Sequence, residues 1–465
     1  MGPDRLSPLD ASFLHIEDGV SHMHIASVAI FEGPPPPFAD VVEMVSAKLD
    51  LVPRYRQKVR FVPFQLGRPV WVDDVHFNIE YHLRQTALPS PGGESELRKL
   101  VGRVMAQPLD RSKPLWEIWV VEGLDEGRWA VLAKTHHALV DGVSGTDLLA
   151  VIMDLSPDAP RPEYPSEWTP HAEPSGTELV VEAIENMVRS PYEQLRAVRA
   201  QTRWLRQTAA YAGEVASGVF ALSGLVRPTP VSSLNGPLGP HRRYAWATTT
   251  VEDIRAVRKE HGGSFNDVVL ACITNGFREL LLARDEDVER VVRTLVPVSV
   301  RARDDSGKAI GDGTYENKVS AMFAELPVEI EDPSVRLAAI TDQMKDLKES
   351  KQALAGEALT SMSGFAPPML LALGMRIATR AAQRNVNTVT TNVPGPQFPL
   401  FAAGRRMLRA FPYVPLAGQV RLGIAIFSYD GEVNFGITGD YDTTPDIDVL
   451  AHGIEDGMAQ LLKVT

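Results

Sequence analysis

The sequence predicts an α/β protein of two domains, and three observations carry that expectation. Its 465 residues exceed the size at which a single hydrophobic core usually stops growing. Apolar runs of strand character mix with segments of helical period, too irregularly for a barrel and with no internal repeat. A stretch rich in proline and acidic residues, 157–174, separates two regions that both carry strand signals. The expected division is an N-terminal domain of residues 1–157, a proline-rich and helical linker of 158–240, and a C-terminal domain of 241–465.

Taken in order, residues 23–26 and 28–31 read as an opening strand that the prolines of 34–37 interrupt. Residues 38–49 follow as a helix, with Val41, Val42, Met44, Val45 and Leu49 apolar at three and four spacing. A second helix is expected over 96–105, where Leu97, Leu100, Val101, Val104 and Met105 form one face. Residues 118–121 and 129–135 then read as strands joined by the glycine-bearing turn at 123–127. Within the linker, 178–223 is helical in pattern and 228–240 loop-like. The second domain is expected to run strand 243–249, helix 251–260, and a longer helix 265–281 beginning near the cap candidates Ser264 and Asn266. Strands are expected at 291–300, 319–323 and 419–429, the last paired with 432–438 across the turn Asp430-Gly431, and a helix of 446–462 closes the chain.

Composition narrows the function classes. A formal charge of −12, from 47 Lys and Arg against 59 Asp and Glu, argues against a nucleic-acid partner, because neutralising phosphates requires a basic surface. Cys272 is the one cysteine and lies in an apolar run, so no internal disulfide is expected and a reducing compartment suits the chain. The first residues have no basic segment feeding an apolar one, as a cleaved secretory signal would. The longest apolar approach to a membrane span, 364–375, is too short to cross a bilayer.

The chemistry concentrates in His136-His137-Ala138-Leu139-Val140-Asp141-Gly142, at the end of the 129–135 strand. A neutral imidazole takes a proton from an alcohol or thiol and returns it to a leaving group at neutral pH. On residues alone either histidine serves as that base, and two half-buried histidines at a sheet edge are the plainer alternative. In extended backbone the two side chains point to opposite faces, so one faces a cavity while the other packs. Asp141 aligns a base or braces the loop through an arginine, and Gly142 permits a close turn. Zinc is not expected, because no local spacing supplies a third good ligand. No G-x-S-x-G elbow occurs to pair a serine with the histidines.

These residues match the HHxxxDG signature of acyltransferases similar to chloramphenicol acetyltransferase and to the condensation domains of peptide synthetases. More specifically, the chain resembles the bacterial wax ester synthase/diacylglycerol acyltransferase family. The resemblance is carried by Leu6-Ser7-Pro8-Leu9-Asp10-Ala11-Ser12-Phe13, Pro114-Leu115-Trp116-Glu117, Asn266-Asp267-Val268-Val269-Leu270-Ala271, Val296-Pro297-Val298-Ser299-Val300-Arg301, Thr391-Asn392-Val393-Pro394-Gly395-Pro396 and Asn434-Phe435-Gly436-Ile437-Thr438-Gly439-Asp440. It implies two chloramphenicol-acetyltransferase-like domains, each a mixed sheet with helices, meeting across a substrate tunnel. It selects His137 as the base, leaves His136 in support, makes Asp141 a structural brace with Arg301 as its partner, and gives Gly142 the turn.

The implied reaction moves a long-chain acyl group from acyl-CoA to diacylglycerol, giving triacylglycerol, or to a fatty alcohol, giving wax ester. Acyl-CoA is a co-substrate, and no permanently bound cofactor or metal is expected. Asn266 is the candidate oxyanion donor, with helix capping as the alternative role for Asn266-Asp267. Asn392, Pro394 and Gly395 form the candidate acyl-CoA contact in a proline-bounded crossover loop, which read without the resemblance is an ordinary turn.

Two arginine stripes, Arg196, Arg199, Arg203 and Arg206, and Arg376, Arg380 and Arg384, either hold the protein against anionic lipid or are solvated helix faces. The expected setting is cytoplasmic, peripheral to the inner membrane face or lipid droplets. A carrier-protein-dependent condensation enzyme and a noncatalytic lipid-binding protein are the alternatives.

Overall fold

A computed structural model describes residues 4–140, 151–159, 168–185, 232–299, 319–349 and 386–465. Asp141, Gly142, Arg301 and both arginine stripes lie outside the described residues. No helix among the described residues is long and apolar enough to cross a membrane.

Among the described residues the fold is mixed α/β with two six-stranded sheets. In the N-terminal half, helix α1 (Pro8–Ile16) precedes strand β1 (His24–Phe31), helix α2 (Phe38–Lys48) and the small hairpin β2 (Gln57–Arg60) and β3 (Val70–Asp73). There follow the single turn α3 (Ile79–His82), β4 (Leu83–Ala87), α4 (Glu94–Met105), β5 (Trp116–Glu122) and β6 (Trp129–His136). The C-terminal half contributes β7 (Arg242–Thr250), α5 (Val251–His261), α6 (Phe265–Ala283), β8 (Val292–Ser299), β9 (Val319–Leu326) and α7 (Pro333–Glu349). It ends with β10 (Thr388–Pro394), β11 (Phe401–Ala402), β12 (Arg405–Tyr413), β13 (Leu422–Tyr429), β14 (Glu432–Asp440) and α8 (Ile447–Lys463).

The first sheet has the order β11-β12-β1-β6-β5-β4 and the second β7-β14-β13-β10-β8-β9. Every residue of β6 is buried. Val131 and Ala133 pack with Val41 and Val45 of α2, while Ala130 and Leu132 pack with Leu97, Leu100 and Val104 of α4. That two-sided cover explains why the strand reads as a continuous apolar run rather than an alternating one.

The expected hairpin forms as β13 and β14, with Asp430 at φ 44 and Gly431 at φ 88 making the turn. Helices α5, α6 and α8 cover the second sheet around Val269, Ile273, Phe435 and Leu450.

The sheets are not independent. Strand β12, from the C-terminal half, pairs antiparallel with β1 from Ala26↔Tyr413 to Phe31↔Met407 and so completes the first sheet. Its Phe411 is fully buried and stacks on Trp246 of β7 at 4.4 Å, and burial of such a ring stabilises by about 2–3 kcal/mol. Tyr244 donates its hydroxyl hydrogen bond to the Pro412 carbonyl at 2.7 Å. At Gly436 a Cβ would stand 1.6 Å from the same carbonyl, so this crossing of the sheets requires glycine.

One expectation needs correction, and one strand is unforeseen. Asn392, Val393 and Pro394 are strand residues at the end of β10, and the turn starts only at Gly395. Strand β12 carries no sequence-level expectation at all: Arg405, Arg406 and Arg409 interrupt its apolar positions, and its partner β1 lies far away in the chain.

Candidate active site

Strand β6 lies between two antiparallel neighbours, so the histidine pair at its end is held from both sides. His136 donates its backbone N–H to the Leu115 carbonyl at 2.9 Å, and His137 donates to the Met23 carbonyl at 2.8 Å. Leu115 belongs to the Pro114-Leu115-Trp116-Glu117 segment. Its next residue, Trp116, is fully buried and ties its indole N–H to the Tyr55 carbonyl at 2.7 Å. The apolar anchor thus fixes the register of β5, and β5 fixes the end of β6.

The two imidazoles have different surroundings. His136 is 1% exposed. Its Nδ1 accepts the Ala138 backbone N–H at 3.0 Å, so the ring carries its proton on Nε2, which faces Glu17 Oε2 at 3.6 Å. His137 lies just beyond the strand, where its ring stacks on Phe13 at 4.0 Å. Its Nδ1 is buried without a side-chain hydrogen-bonding partner. Burial lowers the His137 pKa from its ordinary value, outweighing a backbone hydrogen bond that acts the other way, and the adjacent His136 adds to the lowering. The ring is therefore neutral, the form that accepts a proton.

Glu17 organises the cluster. It caps α1, its backbone N–H bonding to the Phe13 carbonyl. Its carboxylate lies 3.4 Å from His24 Nε2 and 3.7 Å from His22 Nδ1, accepts the Met23 backbone N–H at 3.2 Å, and pairs with Arg111, whose Nε donates at 3.1 Å. Burial opposes ionisation of Glu17, but His136, His22 and Arg111 outweigh it and hold the carboxyl well below the usual carboxylate range. Phe13 and Glu17 are four residues apart, one helical turn on α1. A single helix end therefore braces both histidines, Phe13 against His137 and Glu17 against His136.

Beneath the cluster, buried Lys134 donates to the carbonyls of Val104 and Gln107 at 3.0 and 2.5 Å, tying the end of α4 to β6. Burial lowers its pKa to about 8.

The second candidate region forms where α6 meets β10. Ser264 and Asp267 make a reciprocal capping box, with Ser264 N–H to Asp267 Oδ2 at 2.7 Å and Asp267 N–H to Ser264 Oγ at 3.3 Å. Capping therefore belongs to Ser264 and Asp267, and Asn266 is left half-buried with its Oδ1 accepting from Asn392 Nδ2 at 3.5 Å. Two motifs 126 residues apart in sequence meet in this contact. Gly395 donates to Ser428 Oγ at 3.2 Å, and a Cβ there would stand 2.2 Å from the Ser428 carbonyl. Pro394 is exposed at the strand end. Among the described residues no hydrogen bond joins this region to the histidine turn.

Sequence reasoning assigned no role to Glu17, His22, His24 or Phe13. The available signal was the alternation of His22 and His24 around Met23 at the start of β1, which places both imidazoles on one face.

Residues 6–269 match the wax ester synthase/diacylglycerol acyltransferase catalytic domain, and residues 315–462 match the C-terminal domain of the same family. A probable diacylglycerol O-acyltransferase of Mycobacterium tuberculosis is 36% identical, over 99% of this chain and 96% of that protein. The solved wax ester synthase/diacylglycerol acyltransferase from Marinobacter aquaeolei superposes with a TM-score of 0.69 at 25% identity, covering 98% of each chain. The first condensation domain of the calcium-dependent antibiotic synthetase shares the fold, with a TM-score of 0.60 at 17% identity over 99% of this chain and 97% of that one. With both halves of the chain matched in order, it belongs to the wax ester synthase/diacylglycerol acyltransferase family and is an acyltransferase.

Proposed function

We propose that the chain transfers a long-chain acyl group from acyl-CoA to the hydroxyl of diacylglycerol, forming triacylglycerol, and that fatty alcohol is a secondary acceptor giving wax ester. The observation that carries this reading is the His137 ring at the end of β6, stacked on Phe13 with its backbone N–H held by the Met23 carbonyl. Diacylglycerol is placed first because the curated relatives at 36% identity carry that name.

In the proposed reaction, His137 Nε2 removes the hydroxyl proton as the acceptor oxygen attacks the thioester carbonyl. A tetrahedral oxyanion forms and then collapses, breaking the carbon–sulfur bond. The imidazolium returns the proton to the departing coenzyme A sulfur, so the ring ends as it began and no acyl-enzyme is formed. Asn266 is the proposed oxyanion donor. Asn392 Nδ2 donates to Asn266 Oδ1, which occupies the acceptor of that amide and leaves its N–H group for the oxyanion. Asp141 is the proposed brace of the histidine loop, Gly142 its turn, and Asn392, Pro394 and Gly395 a contact for the acyl-CoA arm. The boundaries near 157 and 240 are retained as the proposed domain division, with β12 lent to the N-terminal sheet. The lipid acceptor places the reaction at an inner-membrane or lipid-droplet surface.

The test is purified protein with labelled palmitoyl-CoA, offered diacylglycerol and hexadecanol in parallel, beside His137→Ala. Triacylglycerol as the dominant product, absent with the variant, is expected. An unchanged rate in His137→Ala would remove the base assignment. Failure to form either ester would favour a noncatalytic lipid-binding role.

A further inference from the structure

The Glu17 cluster borders a cleft of about 870 Å³, lined by α4, the start of β7, the segment 441–448 and His22. That size falls in the range of small-molecule sites, roughly 300–1,000 Å³. On a chain of net charge −12 its lining holds five cations, Arg98, Lys99, Arg103, Arg242 and Arg243, against one carboxylate, Asp448.

Three of the five are engaged. Arg98 donates to Asp448 at 2.6 Å. Buried Arg242 is directed at the carbonyls of Gly239, His241 and Val20. Arg243 donates to the Tyr441 carbonyl at 2.7 Å and lies 4.1 Å over its ring. Lys99 and Arg103 are exposed and one helical turn apart on α4. Glu96 approaches Lys99 only to 3.9 Å, and Arg103 has no ion pair among the described residues. An unpaired Arg103 and a Lys99 held only by a long, exposed ion pair, beside a partly exposed aromatic ring, fit a ligand that joins phosphates to a planar base.

We propose that this cleft receives the 3′-phosphorylated ADP end of the acyl-CoA, with phosphates on Lys99 and Arg103 and the adenine against Tyr441. The inference rests on the acyl-CoA reading above and gives it a location. The cleft is coupled to the catalytic strand at two points. His22 lines it and stacks on His24 at 5.4 Å, two residues along a segment whose Met23 carbonyl holds His137. Lys134 of β6 holds the end of α4.

Calorimetric titration of the whole protein with 3′-phosphoadenosine 5′-phosphate tests the site without catalysis. Binding to the native chain, weakened at least about tenfold by the pair Lys99→Glu and Arg103→Glu, is expected; the milder pair Lys99→Gln and Arg103→Gln serves if the first is misfolded. The ratio of kcat/KM for palmitoyl-CoA to that for palmitoyl-pantetheine, which lacks the nucleotide, should fall by a similar factor. No nucleotide binding by the native chain, or an unaltered ratio in the folded pair, overturns the proposal. So does loss of sedimentation with phosphatidylglycerol vesicles at an unaltered ratio, which would make the cleft a contact for lipid headgroups. Nucleotide binding that depends on Lys99 and Arg103 without ester formation would leave the site standing and remove the acyl-CoA transfer reading instead.

Discussion

Two strand ends carry the candidate chemistry, and they are built differently. Strand β6 runs antiparallel to both neighbours and ends among ionisable groups, with Glu17, His22, His24, Arg111 and Lys134 around the histidine turn. Strand β10 runs parallel to both neighbours and ends among neutral donors and acceptors. Along the strand Thr388 bonds to the Leu422 carbonyl at 2.9 Å and Thr294 to Thr390 at 2.8 Å, and near its end Asn392 bonds to Asn266. A proton can be gained and lost at the first end. The second can only donate or accept a hydrogen bond, which suits stabilising a charge that forms elsewhere.

The largest effect expected from breaking this contrast is at the first end. His137→Ala should lower kcat by about 10²–10⁴-fold with the unfolding transition unchanged, the range for loss of a general base. At the second end, Asn266→Ala should lower kcat by roughly 10²-fold, the loss for one oxyanion donor. A fall in thermal stability with kcat intact would show Asn266 to be only a packing residue. Glu17→Gln acts through His136 and should cost roughly tenfold in kcat with KM values held, and an effect confined to melting temperature would reduce Glu17 to a fold role.

The smallest effect, and the sharpest on protonation, is the pH profile. The base works as neutral imidazole, and burial lowers its pKa from 6.5. It therefore stays neutral as pH falls past 6.5, and the acid limb of kcat/KM should lie below that value. A limb centred at or above 6.5 would contradict a buried base.

Legibility in the sequence differed between the two ends for the same reason that their construction differs. The strand 129–135, the helix of α4 and the β13–β14 hairpin were readable because their signals are local: an apolar run, a helical stripe, a two-residue turn. Ser264 and Asn266 are both cap candidates in sequence. Only the backbone geometry gives the cap to Ser264, with Asp267 as its reciprocal partner. Pro394 reads as turn chemistry but closes a strand, because β10 is fixed by β13 and β8 on either side rather than by its own residues. Strand β12 was invisible because its pairing partner is remote and its apolar positions are interrupted by arginine.

By itself the sequence determined the chemical class: an adjacent histidine pair before an aspartate and glycine, on an acidic α/β chain, in the order of motifs that marks this acyltransferase family. Tertiary structure alone decided how the pair is held. Phe13 and Glu17 sit more than a hundred residues before the histidines, and nothing local links them. They reach the pair because α1 packs at the end of β6, where a single helical turn sets one ring against His137 and one carboxylate against His136. Long-range packing fixes such contacts to within an ångström, and periodicity along a chain carries no information about them.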